Sequence, residues 1–185
     1  MNYTPPYIDP RAKYVEGSHP ATMEPEDLLR QCEILTGRVA GPGGQHRNKT
    51  DSAVFIRHSP TALETQATER RSQHENRRVA LWRIRVKLAI RCRTAVNRDR
   101  HRPSELWCRR RQGAKLPVSP THEDYPALLA EALDVVTARR FDIAGAAAVL
   151  GITMSQLSRL IRHEKHAFAM LNEGRESTGL PRLRS

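Results

Sequence analysis

The spacing of apolar residues changes along the chain, and each change predicts a different element. From Glu24 to Leu35, "EPEDLLRQCEIL" opens with acids and a proline, as helix first turns do. It puts Leu28, Leu29 and Cys32 on one side, so a helix is expected there. "ILTGRVA" is short and partly β-branched, a strand leading into the glycine-rich stretch at 41–45. In Ser52–His58, Val54 and Ile56 alternate with less apolar neighbours, and Leu63–Thr68 can pair with it through the turn "SPTA", giving a hairpin. "SQHENRRVALWRIRVKLAIRCR" then changes to a helical period. Ser72 and Glu75 have capping-box spacing, and Val79, Trp82, Val86 and Ile90 form an apolar stripe. From His122 alanine and leucine dominate. "AAVLGITMSQLSRLIR" has helix-turn-helix spacing, with small Ala147, Gly151 at the turn, and Leu157 and Leu160 as core positions.

These patterns predict an α+β fold: a small β-sheet carrying the glycine loop, packed against a long basic helix, then an all-α, helix-turn-helix-like C-terminal module. The expected organisation is an extended arm over 1–22 (Pro5, Pro6, Pro10 and Pro20), a loop-bearing domain over 23–95, and a Pro/Arg-rich connector over 96–120. A small helical module over 121–173 and a tail over 174–185 complete it.

Charge adds a partner class. The 185 residues are 38% hydrophobic with a mean hydropathy of -0.62, a net charge of +11 and a pI near 10.4, which favours a polyanion. Between Arg70 and Lys115 there are 16 Lys or Arg against three acids, so this segment is +13 and the remainder -2. In the long helix Arg77, Arg78, Arg83, Arg85, Lys87 and Arg91 fall mostly off the apolar stripe. Glu75 is its only acid, so the usual i,i+4 neutralisation is missing and a phosphate-facing surface is favoured over a merely solvated face. Residues 116–173 carry five Lys or Arg against seven acids. That balance disfavours phosphate binding and favours a bundle that packs or contacts protein over a DNA reader.

Three widely spaced cysteines exclude a disulfide framework and point to a reducing compartment. Cys92, His101 and Cys108 fit no common zinc spacing and lack a fourth ligand, so neither metal nor cofactor is expected. No apolar run reaches a membrane span and the N-terminal residues lack a signal-peptide core. A cytoplasmic protein without membrane association is expected.

The chemistry lies in "GPGGQHRNKTDSAV", residues 41–54. Gly43 and Gly44 lack Cβ atoms and can bring backbone close to another surface. The stretch has neither the G-x-G-x-x-G of a dinucleotide site nor the G-K-[ST] of a phosphate loop. With the "SPT" turn and "ERRSQHENRRVA" (Glu69–Ala80), it resembles the catalytic domain of bacterial and organellar peptide chain release factors. Gly-Gly-Gln, the following Asn-Lys, the Pro-Thr turn and an Arg-Ser-Gln opening a long helix occur here in the same order, over about residues 28–92. Within that family the chain looks most like the short, codon-independent ribosome-rescue hydrolases.

The resemblance implies that Gly43, Gly44 and Gln45 enter the peptidyl transferase centre of the large ribosomal subunit. There they would promote hydrolysis of the ester between nascent peptide and tRNA. No loop side chain is a strong base. The backbone N–H of Gln45 is the natural donor to the developing oxyanion or departing 3′ oxygen, worth roughly 3–4 kcal/mol. His46, Arg47, Asn48, Lys49, Arg70, Arg71, Ser72, Gln73, Arg77, Arg78, Arg109, Arg110 and Arg111 become candidate RNA-binding residues, the first ten at ribosomal RNA or the tRNA acceptor end; Asn48 and Asp51 could equally fix the loop internally. The partners implied are the ribosome, peptidyl-tRNA and ribosomal RNA, with a monomer expected off the ribosome.

Two departures qualify the match. Full-length members carry a stop-codon-reading domain, whereas 40 residues precede Gly41 here, so codon-independent release is expected. Short rescue members carry a free basic C-terminal tail for the empty mRNA channel. Here the basic run containing Arg109, Arg110 and Arg111 is internal and followed by a helical module. Alternatives are hydrolysis on a restricted state such as split large subunits, a non-catalytic ribosome- or RNA-binding protein, and a helix-turn-helix DNA-binding regulator.

Overall fold

The computed structural model describes residues 8–38, 52–98 and 100–184. The chain divides into two compact units, residues 23–88 and residues 1–22 with 89–185. Among the described residues, no single helix is long and apolar enough to cross a membrane.

The unit over 23–88 contains helix α1 (Pro25–Arg30) and an antiparallel sheet of β2 (Cys32–Gly37), β3 (Ala53–His58) and β4 (Leu63–Ala67), in that order. Helix α2 (Gln73–Arg91) begins here and runs through the division at Leu88. The expected helix over 24–35 is too long: it ends at Arg30, and Cys32 opens a strand instead. Cys32 to Gly37 pair residue for residue with His58 to Ala53, so the ladder overrides helical spacing there. The hairpin forms as expected, with Val54↔Ala67 and His58↔Leu63 at its ends.

The buried ridge of α2 differs from the expected stripe. Asn76, Ala80, Ile84 and Leu88, spaced at i+4, are fully buried; of the expected stripe Val86 and Ile90 are buried, while Val79 and Trp82 are half-buried. The ridge faces the sheet: the Thr65 hydroxyl donates to the Ala80 carbonyl, and Arg83 and Lys87 donate to the carbonyls of Gln66 and Glu64. The basic residues at 83 and 87 thus bond to the edge strand with their charged ends while their stems cover apolar surface.

The second unit centres on α4 (Tyr125–Ala138), of which only Glu131 is not buried. Helices α5 (Ile143–Leu150) and α6 (Met154–Arg162) meet at 102° and both pack on α4. Between them Gly151 adopts φ +67°, and the Thr153 side chain caps α6 by accepting from the Gln156 N–H. Helix α7 (Lys165–Ser177) closes the bundle; the Phe141 ring fills the space where Gly174 would carry a Cβ.

Two expectations fail in this unit. Over its described residues, 8–22, the N-terminal arm is packed rather than extended. Strand β1 (Lys13–Tyr14) pairs in parallel with β5 (Cys92–Arg93), and a 3₁₀ turn at Pro20–Thr22 packs on α4. Buried Asp9 and His19 hold it. Asp9 pairs with Arg11 at 2.8 Å, and His19 accepts from the Ala21 N–H and donates to the Cys92 carbonyl. The connector is folded too. Helix α3 (Glu105–Arg110), capped by Ser104, sinks Trp107 into the bundle, where its indole N–H donates to the Leu150 carbonyl at 2.9 Å. An aromatic anchor of this size cannot leave solvent exclusion without a large loss of burial, so the basic run is no free tail.

Candidate functional site

The loop itself, with Gly43, Gly44, Gln45, His46, Arg47, Asn48 and Lys49, lies outside the described residues, as does Asp51. Its frame is described. The ladder ends at the pair Gly37↔Ala53, so the chain on either side of the loop is held across adjacent strands.

A buried amide pins one side of that frame. Asn76 Nδ2 donates to the carbonyls of Ser52 (2.6 Å) and Arg70 (2.9 Å), and its Oδ1 accepts from the Arg70 N–H (2.9 Å). One side chain therefore joins the residue following the loop to the turn that carries Arg70, Arg71 and Ser72. Ser72 in turn caps α2 through its Oγ, which accepts from the Glu75 N–H. Asn76 is a site residue that the motif and the apolar stripe did not reveal. Its signal was present: a lone polar residue in register with Ala80, Ile84 and Leu88.

Arg70, Arg71, Ser72, Gln73, Arg77 and Arg78 are all exposed around this pin. Among the described residues no carboxylate pairs with any of the four arginines. Elsewhere in the unit the arginines are engaged: Arg83 pairs with Glu69, and Arg57 lies 3.5 Å from both Glu33 and Glu64. Among the described residues these four guanidiniums are left without a carboxylate and make this face of the unit strongly positive.

The turn at the far end of the hairpin is built by Thr61. Its hydroxyl meets His58 Nδ1 at 2.8 Å and accepts from the Leu63 N–H, while His58 Nε2 reaches the Gln31 amide oxygen. Burial holds the His58 pKa below its ordinary value. Ala62 sits at φ +56°, a left-handed conformation that suits glycine better.

Arg109, Arg110 and Arg111 belong to the other unit, and their roles differ. Arg110 bonds Asp124 at 2.6 Å and meets His122 at 3.0 Å. Arg111 donates to the Gly151 carbonyl in the α5–α6 turn. Arg109 is exposed and, among the described residues, unpaired.

Residues 24–115 match the model of the RF-1 domain. The peptide chain release factors 2 of Acidovorax sp. (strain JS42) and of Acidovorax ebreus (strain TPSY) are each 55% identical to this chain over 74 residues. That stretch covers 40% of this chain and 19% of each relative, so the similarity concerns under a fifth of their length. The match to the RF-1 domain and the identity to these relatives agree: the segment over residues 24–115, which carries Gly43-Gly44-Gln45, belongs to the class I peptide chain release factor family.

Proposed function

We propose that the protein hydrolyses peptidyl-tRNA on the ribosome, and that it does so without reading a stop codon. The observation that carries the hydrolase reading is Gly43-Gly44-Gln45 within an RF-1 domain whose frame exposes four arginines that have no carboxylate partner among the described residues. Water attacks the ester carbonyl carbon, a tetrahedral oxyanion forms, and the tRNA 3′ oxygen leaves with a proton. The Gln45 N–H donates to the developing negative charge, and the Gln45 amide shapes a space that admits water and rejects larger nucleophiles. Arg70, Arg71, Arg77 and Arg78 hold the domain against RNA phosphates, a positioning role that lowers the entropy cost of bringing loop and ester together.

The codon-independent part is supported by the second unit. It is a helical bundle with exposed cations, and cation–phosphate attraction places a protein on RNA without regard to base sequence. Its folded basic segment also makes insertion as a free tail the wrong picture for this chain.

Peptide release from ribosomes stalled on an mRNA without a stop codon tests the proposal. Wild type is expected to release peptide, and Gln45→Ala to lose at least about 100-fold in rate, the usual cost of an oxyanion-type donor or its immediate setting, while still binding ribosomes. Release only when a stop codon is present would refute the codon-independent part. Ribosome binding without hydrolysis in any ribosome state would refute the enzyme reading.

A further inference from the structure

We propose that the helical unit carries its own RNA-backbone site, in a cleft between α6 and the strap at residues 115–118. The choice of RNA over other polyanions rests on the function proposed above; the cleft itself does not. It has a volume of about 220 Å³, and Lys115, Pro117, Val118, Gln156, Arg159 and His163 are among the residues lining it. No Asp or Glu lines it. Leu116 and Leu160, both buried, also line the cleft and supply apolar surface.

The cleft is built rather than incidental. The Leu116 N–H donates to the Gln156 side chain, and the Thr153 N–H donates to the Ala114 carbonyl, fastening the strap to α6. Gln112 and Lys115 exchange both backbone hydrogen bonds at 2.9 and 3.0 Å, closing a turn that fixes where Lys115 begins. Arg111, on the Gly151 carbonyl, and Trp107, on the Leu150 carbonyl, tie the same segment to the α5–α6 corner. Against this scaffold the side chains of Lys115 and Arg159 have no hydrogen-bonding or ion-pair partner among the described residues, and Arg109 is exposed nearby in sequence. Arg162, one turn on from Arg159, is by contrast occupied, over the Phe168 ring and on the Arg184 carbonyl.

Charge supports the same partner. Counted over residues 116–173 the module is acidic. The compact unit, however, includes 1–22 and 89–115, and then holds 19 Lys or Arg against 12 Asp or Glu, a net +7. The acidic balance that argued against phosphate binding came from cutting the unit in the wrong place. Two unpaired cations over apolar surface suit a phosphodiester with a ribose laid beside it. Base reading has little support on α6: its exposed first residues are Met154 and Ser155, and Gln156 is committed to the strap. A helix-turn-helix that reads DNA projects base-bonding side chains from the start of its second helix. The groups here favour backbone contacts.

The test uses the full chain and a fluorescein-labelled RNA stem-loop, with a DNA duplex of the same sequence as the second probe, followed by anisotropy across a salt series. The double variant Lys115→Gln/Arg159→Gln is expected to bind the stem-loop about tenfold more weakly, with a log–log salt slope shallower by roughly 1.5, the value for two lost phosphate contacts. Arg159→Lys alone, which keeps the charge, is expected to stay within about twofold of wild type. Unchanged affinity and slope in the double variant would overturn the proposal, and so would tighter binding of the DNA duplex than of the stem-loop by the wild type. Gln45→Ala separates this idea from the hydrolase reading, since it should lose release yet bind the stem-loop as wild type does. If wild type released no peptide while the double variant still lost RNA affinity, the hydrolase reading alone would fall.

Discussion

Arg70, Arg71, Arg77 and Arg78 in one unit and Arg109, Arg110 and Arg111 in the other look alike as sequence, short runs of arginine in the most basic quarter of the chain. The structure treats them differently. The first set stands exposed around the Asn76 pin, without a carboxylate partner among the described residues. In the second set, Arg110 is bound to Asp124 and His122, and Arg111 to the α5–α6 turn. A run of positive charge therefore does not specify its use; the hydrogen-bond partners do. Arginines spent on carbonyls and carboxylates hold a fold, while unpaired ones are available to a partner.

The largest effect that sharpens this contrast concerns the helical unit's buried histidine. Burial, opposed by the bond to the Cys92 carbonyl and reinforced by Arg93, lowers the His19 pKa to about 4. Protons therefore bind the unfolded chain more tightly than the folded one. The stability due to neutral His19 is complete above about pH 6.5 and is lost as pH falls towards 4, by about 3 kcal/mol. Urea unfolding of wild type and His19→Gln should show the gap between them shrinking by about that amount from pH 7 to pH 4; a constant gap would contradict the buried, neutral imidazole.

In the loop-bearing unit, Asn76→Leu should cost about 1–3 kcal/mol, because the three hydrogen bonds of this buried amide to Ser52 and Arg70 are lost together. Peptide release should fall further than ribosome binding, as the loop's attachment loosens. Equal losses in both would reduce Asn76 to a stability residue.

The arginines themselves give a smaller, more direct test. Arg110→Gln should destabilise by about 1 kcal/mol through its partly buried pair with Asp124. Arg77→Gln/Arg78→Gln should leave stability within about 0.5 kcal/mol while weakening ribosome binding. Reversal of these two results would undo the comparison. The smallest change is Ala62→Gly, expected to raise stability by about 0.5–1 kcal/mol in thermal unfolding by relieving the left-handed backbone at the hairpin turn.

Local signals were legible where local physics decides. The hairpin followed from alternation at Val54 and Ile56, and the start of α2 from Ser72 with Glu75. The helix-turn-helix corner followed from Gly151 between apolar helices. What was missed depends on partners distant in sequence. Cys32 joins a strand because His58 lies opposite, and Asn76 is buried because Ser52 and Arg70 need its amide. Asp9 and His19, polar residues in a proline-rich segment, gave no hint of burial. Trp107 carried a readable clue, since Ser104 and Glu105 mark a helix start before it, but the surrounding arginines and prolines obscured it. The family was legible from the loop's motif, whereas the cleft between Lys115 of the strap and Arg159 of α6 was not, because those two residues meet only in the fold.

The parallel pairing of Lys13–Tyr14 with Cys92–Arg93 has a consequence for how the protein is made. The loop-bearing unit interrupts the helical one in the chain, so residues 8–22, made before it, must wait for 92–93, and then for α4, before they can settle. During synthesis the hairpin and most of α2 can fold while the opening segment is still without its mate. An N-terminal deletion and a C-terminal one would consequently damage the same body, and the loop-bearing unit, whose sheet is assembled from neighbours in sequence, would be the piece left standing.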